Sequence, residues 1–173
     1  MSLTLFSCKD SDVKETEPTI TTEEPAIDQN IFTVVLTAVV PKDDSFQLFY
    51  QDDAAQQFED KKSLFVEFKG SDQPQDIVFK LPADELPYFL RLDFGVNKEQ
   101  GPMVIKNFKI QYLGKTFEAH ESDFFKYFYS NEQNQKVDTT TATVTPIITQ
   151  GGSYDPMFAS AEGLSKQIDA LVK

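Results

Sequence analysis

An all-β fold, an antiparallel two-sheet β-sandwich of jelly-roll type with a short C-terminal helix, is predicted by three observations. Short runs rich in β-branched and aromatic residues recur with turn residues between them, the runs alternate apolar and polar side chains, and no helical segment of comparable length separates them. In order, the runs are IFTVVLTAVV, SFQLFYQ, SLFVEF, DIVFKLP, YFLRLDFG, MVIKNFKIQYLG, KTFEAH and TATVTPIIT, punctuated by PKDDS, DDAAQQFEDKK, SDQPQ, ADELP and VNKEQGP.

Side chains of a strand point alternately to opposite faces, so each run assigns its own core face. Phe46, Leu48 and Tyr50 oppose Gln47, Phe49 and Gln51, and Leu64, Val66 and Phe68 oppose Phe65, Glu67 and Lys69. Ile77, Phe79 and Leu81 oppose Val78 and Lys80, while Leu90, Leu92 and Phe94 oppose Phe89, Arg91 and Asp93. One apolar face per strand is the pattern of antiparallel sheets that share a core. In the run from Met103 to Tyr112 the apolar set changes from Met103 and Ile105 to Phe108, Ile110 and Tyr112, which predicts a bulge near Lys106 and Asn107. HESDFFKYFYSNEQ reads equally as a helix capped by Asp123 and as a strand alternating Phe125, Tyr127 and Tyr129. Beyond it, Gly151 and Gly152 break the last strand and Asp155 before Pro156 marks a helix start. Leu164, Ile168, Leu171 and Val172 then share one helical face, which either packs on the sandwich or docks a partner.

Composition narrows the classes of function. The chain has 173 residues, 40% of them hydrophobic and 13% aromatic; this supports one core of about 120 to 145 ordered residues. Its longest apolar run, Ile31 to Val40, is about half of what a membrane-spanning helix requires. A net charge of −12 and a single arginine, Arg91, argue against nucleic acid, which is held by clusters of Lys and Arg. A zinc site and a Cys-His pair lack the residues they need, since the one cysteine, Cys8, lies near the N-terminus, and Ser-His-acid catalysis would have to run through the one histidine, His120, which reads as a solvated turn residue between Glu118 and Glu121. No phosphate-cradling glycine motif occurs. No cofactor and no catalytic activity are therefore expected.

Cys8 follows Leu5, Phe6 and Ser7, and the charged segment KDSDVKETEP follows it. Leu three residues before the cysteine and a small residue directly before it resemble the lipobox of bacterial lipoproteins, in which the thiol is acylated. Only seven residues precede Cys8, too few for a signal peptide, so this reading expects a precursor that extends further upstream. Residues 1–8 are then a signal-peptide remnant. Residues 9–28 carry seven acidic side chains, two lysines, two prolines and no aromatic ring, the composition of a disordered tether. Over twenty residues a flexible coil spans about 25 Å, enough to hold a lipid-anchored domain clear of the headgroups. The resemblance implies a lipid anchor at Cys8 as the only contact with a membrane, and a place in the cell envelope, in the periplasm or at the cell surface. Residues 29–150 are assigned to the sandwich and 151–173 to a C-terminal extension.

A second resemblance lies in YFLRLDFGVNKEQGPMVIKNFKIQY, residues 88–112. It looks like the late strand pair of jelly-roll sandwiches of the carbohydrate-binding-module type, where a strand reading L-R-L-D leads through a Gly or Asn loop into the next. Such modules usually present Trp platforms; this chain has none, so Tyr or Phe would take that role. Rings beside amides and an Arg–carboxylate pair suit a sugar: the ring takes the apolar face, and the planar groups take the hydroxyls. The outward residues Gln47, Phe49, Gln51, Phe89, Arg91, Asp93, Asn107 and Gln111 are the candidate ligand-binding set, with Phe49, Arg91 and Asp93 expected in one shallow groove. Asp43, Asp44, Asp52 and Asp53, which bracket one strand, are calcium candidates against a reading as solvated turn residues. Glu121 and Asp123 break the E-x-D-x-x-E pattern of sandwich glycosidases at Lys126. Two functions remain: a non-catalytic envelope module that binds a glycan or a protein, and a structural accessory subunit whose sandwich and C-terminal helix contact envelope proteins.

Overall fold

The structure, a computed structural model, describes residues 29–53 and 57–173. Two antiparallel sheets face each other across a single apolar core. The strands are β1 (Thr33–Val40), β2 (Asp44–Gln51), β3 (Ser63–Phe68), β4 (Ser71–Lys80), β5 (Phe89–Asp93), β6 (Met103–Tyr112), β7 (Lys115–His120), β8 (Phe128–Ser130), β9 (Gln135–Asp138), β10 (Thr143–Pro146) and β11 (Met157–Ser160). They are followed by a helix, α1 (Glu162–Val172). The first sheet runs β4-β1-β6-β10-β9, with β7 also paired to β6, and the second runs β3-β2-β5-β11-β8.

The alternating sets named above point into this core. Phe46, Leu48 and Tyr50 are buried with Ile77, Phe79, Leu81, Leu90, Leu92 and Phe94. With no Trp in the chain, phenylalanine fills the space between the sheets. Rings run in contact from Phe68 through Phe46 (4.8 Å), Phe94 (4.9 Å), Phe158 (5.1 Å), Phe124 (5.2 Å) and Phe128 (4.4 Å) to Phe108 (4.9 Å), centroid to centroid. The predicted bulge is present. The β1–β6 register shifts between Thr37 and Ala38, which face Asn107 and Ile105, so Lys106 is the extra residue and both halves of β6 keep their apolar side chains inward.

Three local expectations are corrected and one open reading is resolved. SDQPQ, read as a turn, is the first half of β4; Pro74 is tolerated because β4 is an edge strand and the register with β1 shifts there, between Ala38 and Val40. HESDFFKYFY is helix and strand in succession, a 3-10 turn over Glu121–Lys126 and then β8. Residues 157–160, placed after a predicted helix start at Asp155, form β11, and the helix begins only at Glu162. The division at residue 150 also fails, since β11 lies between β5 and β8 inside the second sheet and hydrogen-bonds to both. A strand wins over a helix at 157–160 because two facing strand edges would otherwise keep unpaired N–H and C=O groups.

The helix closes one end of the sandwich. It packs against β5 and β11 of one sheet and β6 and β7 of the other, burying Leu164, Ile168 and Leu171, and Ser165 Oγ donates to the Tyr88 carbonyl at 2.9 Å. Of the two placements considered for its apolar face, packing on the sandwich is the one observed. No helix among the described residues is long and apolar enough to cross a membrane. Cys8, the signal-peptide remnant and the 9–28 tether lie outside the described residues.

Candidate functional site

Neighbouring strands β2 and β5 bring most of the predicted set together on the outer face of the second sheet. Gln47 stands opposite Asp93, Phe49 opposite Arg91, and Gln51 opposite Phe89. Asn107 and Gln111 are not part of this surface. They lie on β6, in the other sheet, and point away from the core on the far side of the sandwich. Period two separates inward from outward but does not say which sheet a strand joins, so the expected set is split by the thickness of two sheets, about 10 Å.

The expected trio of Phe49, Arg91 and Asp93 does meet, but as a covered cluster rather than an open groove. Arg91 donates through Nε to Asp93 Oδ1 at 2.8 Å and through Nη2 to Oδ2 at 2.7 Å, a bidentate pair along one strand. Its guanidinium carbon lies 4.0 Å from the centroid of Phe49 and 5.6 Å from that of Phe58, whose ring meets Phe49 edge-on. Phe49 is only 4% exposed beneath this layer. Burial pushes the Asp93 carboxyl above its ordinary value despite the guanidinium beside it. Burial also works against the Arg91 charge, but the Asp93 pair, with Asp155 and Asp60 nearby, holds the guanidinium protonated more firmly still. Arg91 is thus a clamp that seats Phe58 on the sheet, with its Nε and one Nη2 hydrogen committed to Asp93.

An open cleft lies beside the clamp. A cleft of about 360 Å³ is lined by Gln51, Gln57, Phe58, Phe89, Tyr129, Ala159 and Ser160. Its rings come from three places in the chain: Phe58 from the long β2–β3 connection, Phe89 from the start of β5, and Tyr129 from the outer face of β8. Tyr129 is 60% exposed. Gln51 is 5% exposed, and its side-chain oxygen has no hydrogen-bond partner among the described residues. Ser160 Oγ is already engaged by the Leu90 N–H at 2.9 Å. Gln51 and Gln57 also line an adjoining cleft of about 450 Å³ with Tyr50, Asp52, Glu59, Lys61 and Lys62. The ammonium groups there are taken: Lys62 bonds Asp52 at 2.8 Å and Glu85 at 3.3 Å, and Lys61 meets Glu59 at 2.6 Å.

Sequence reasoning missed Gln57, Phe58 and Tyr129. Phe58 carried a signal, being the lone aromatic in the polar stretch DDAAQQFEDKK; Tyr129 sat in the segment whose helix and strand readings could not be separated.

The four calcium candidates do not converge. Asp43 and Asp44 sit at one end of β2 and Asp52 and Asp53 just beyond the other, roughly 25 Å away at a strand's rise per residue. Asp43 accepts from Lys69 at 2.6 Å and from the Gly70 N–H at 2.8 Å, and Asp52 is the partner of Lys62. Among the described residues no group of three or more His, Cys, Asp or Glu side chains is placed to hold a metal ion. His120 ends β7 with its Nε2 at 3.3 Å from Glu118, largely in solvent. No family model, no curated protein and no solved structure matches this chain.

Proposed function

We propose that the sandwich is a glycan-binding module of a bacterial envelope lipoprotein, with the cleft beside Tyr129 as its binding surface. The observation that carries this reading is the grouping of three rings from separate elements, Phe58, Phe89 and Tyr129, around the amides of Gln51 and Gln57. A sugar offers an apolar face for a ring and hydroxyls for amides, and a shallow open cleft suits a polymer that enters from the side. The cleft is lined by no carboxylate, so glycoside hydrolysis, which uses two, has no residues to run on there. Cys8 as the acylated anchor rests on its resemblance to a lipobox, and the acidic tether holds the module away from the bilayer.

Affinity electrophoresis through native gels containing a panel of polysaccharides tests the binding. Tyr129 is an exposed ring whose loss leaves the core intact, so Tyr129→Ala should fold as the parent does and lose at least fivefold in affinity for any glycan that retards the parent. Equal retardation of the two proteins would remove the cleft as the site. Labelling the full-length precursor with a radioactive fatty acid in a Gram-negative host tests the anchor, and the label should vanish in Cys8→Ala.

A further inference from the structure

The electrostatics of the cleft and its surroundings name the class of glycan, an inference that rests on the reading above. None of the side chains that line the cleft is charged. The cations of the Arg91 clamp and of the adjoining cleft are engaged: Arg91 by both oxygens of Asp93, Lys62 by Asp52 and Glu85, and Lys61 by Glu59. Around Arg91 the balance is negative, because Asp155 and Asp60 act on the guanidinium in addition to Asp93. The chain as a whole carries −12. An anionic sugar entering here would give up its hydration without gaining a cation and would meet a repulsive field.

The hydrogen-bonding inventory points to a hydroxyl-bearing ligand. Gln51 lines both clefts, and its buried Oε1 is an acceptor with no hydrogen-bond partner among the described residues. A sugar hydroxyl can donate to it, and neutral and acidic polymers both carry hydroxyls, so this contact favours a sugar while the charge balance sets its class. We propose that the ligand is an uncharged polysaccharide, recognised by ring stacking and hydroxyl–amide hydrogen bonds, and that uronate-containing and sulfated glycans are excluded.

The same gels decide this when run at low and at 200 mM salt with neutral polymers (galactomannan, arabinoxylan, mixed-linkage β-glucan) and acidic ones (polygalacturonate, alginate, chondroitin sulfate). The expected result is retardation by at least one neutral polymer, unchanged by salt and weakened at least fivefold in Tyr129→Ala, with no retardation by the acidic set. Retardation by an acidic polymer that is lost in Tyr129→Ala would keep the glycan-binding reading and overturn the uncharged class. Acidic retardation that fades with salt and ignores Tyr129→Ala would place anion binding elsewhere on the surface and overturn the exclusion. If no polymer of either kind retards the protein, both the class and the glycan-binding reading fall.

Discussion

Asp44 shows how one side chain can organise a loop. Its Oδ1 accepts the backbone N–H groups of Ser45 at 2.9 Å, Val96 at 2.9 Å and Asn97 at 3.2 Å, and its Oδ2 accepts from Gln100 Nε2 at 3.1 Å. Gly95, at φ 91°, brings its Cα so near the carboxylate that a Cβ would overlap it. One of the four aspartates that the sequence marked as metal candidates is thus a hub of backbone donors. Asp44→Ala strands donors around a carboxylate that is almost fully buried, so it should cost about 3 kcal/mol in urea unfolding; an unchanged midpoint would refute the hub.

Tyr154 is the opposite case, a buried hydroxyl with no partner among the described residues. Burial, with the charge of Asp44 adding to it, pushes its pKa from 10.0 up to about 12. A raised folded-state value favours the protonated phenol, so this contribution to stability is complete below pH 10 and is lost as pH climbs through 12. Tyr154→Phe removes an unsatisfied group and should be neutral or stabilising by up to about 1 kcal/mol at pH 7. Its advantage over the parent should widen between pH 10 and 12 in thermal melts. A variant that is markedly less stable at neutral pH would mean that the hydroxyl has a partner.

At the scale of elements, the bulge in β6 lets one strand serve the core along its whole length. Met103 and Ile105 point inward before it, Phe108 and Ile110 after it, and all four are fully buried. Removing Lys106 leaves a regular strand in which one of these pairs must face solvent, since a shift of one residue exchanges the faces. Burying a large apolar side chain is worth about 1.5–3 kcal/mol, so exposing two costs about 3–6 kcal/mol. Turning their polar neighbours into the core in exchange adds to this, a loss comparable with the roughly 5–15 kcal/mol margin of a small domain. The Lys106 deletion should show no cooperative melt by circular dichroism, whereas Lys106→Ala, which keeps the extra residue, should melt within a few degrees of the parent. The short strands follow another logic. β8, β9 and β11 are three or four residues long and show no extended alternation; they are strands because neighbouring edges offer them hydrogen bonds.

For the whole molecule, the decisive feature is the position of β11 near the C-terminus of the chain. It joins β5 to β8, sends Phe158 against Phe94 and Phe124, and leads directly into the helix that closes the end of the core. A chain ending at residue 150 would leave β5 and β8 without a shared neighbour and the Leu164, Ile168 and Leu171 sites empty. Residues 29–150 alone should therefore give collapsed amide dispersion in a nitrogen–proton spectrum, while 29–173 gives a dispersed one; a well-dispersed spectrum from the shorter chain would restore the boundary that composition suggests.

The sequence by itself determined the class of fold, the inward face of the long strands, the bulge at Lys106 and the Leu164, Ile168 and Leu171 face of the helix, although it also set the exposed Val172 on that face, because these patterns rest on periodicity within single segments. It also placed Gln47, Phe49, Gln51, Phe89, Arg91 and Asp93 on outward faces. Only the tertiary structure decided which sheet each strand joins, and so it set Asn107 and Gln111 apart from the rest and laid Phe58 over Phe49 and Arg91. Pairing between strands distant in the chain depends on which edges remain unsatisfied once the others have paired, and no local pattern records that. The cleft belongs to the same level, since Gln51, Phe58, Phe89, Tyr129 and Ser160 become neighbours only when β11 joins β5 to β8.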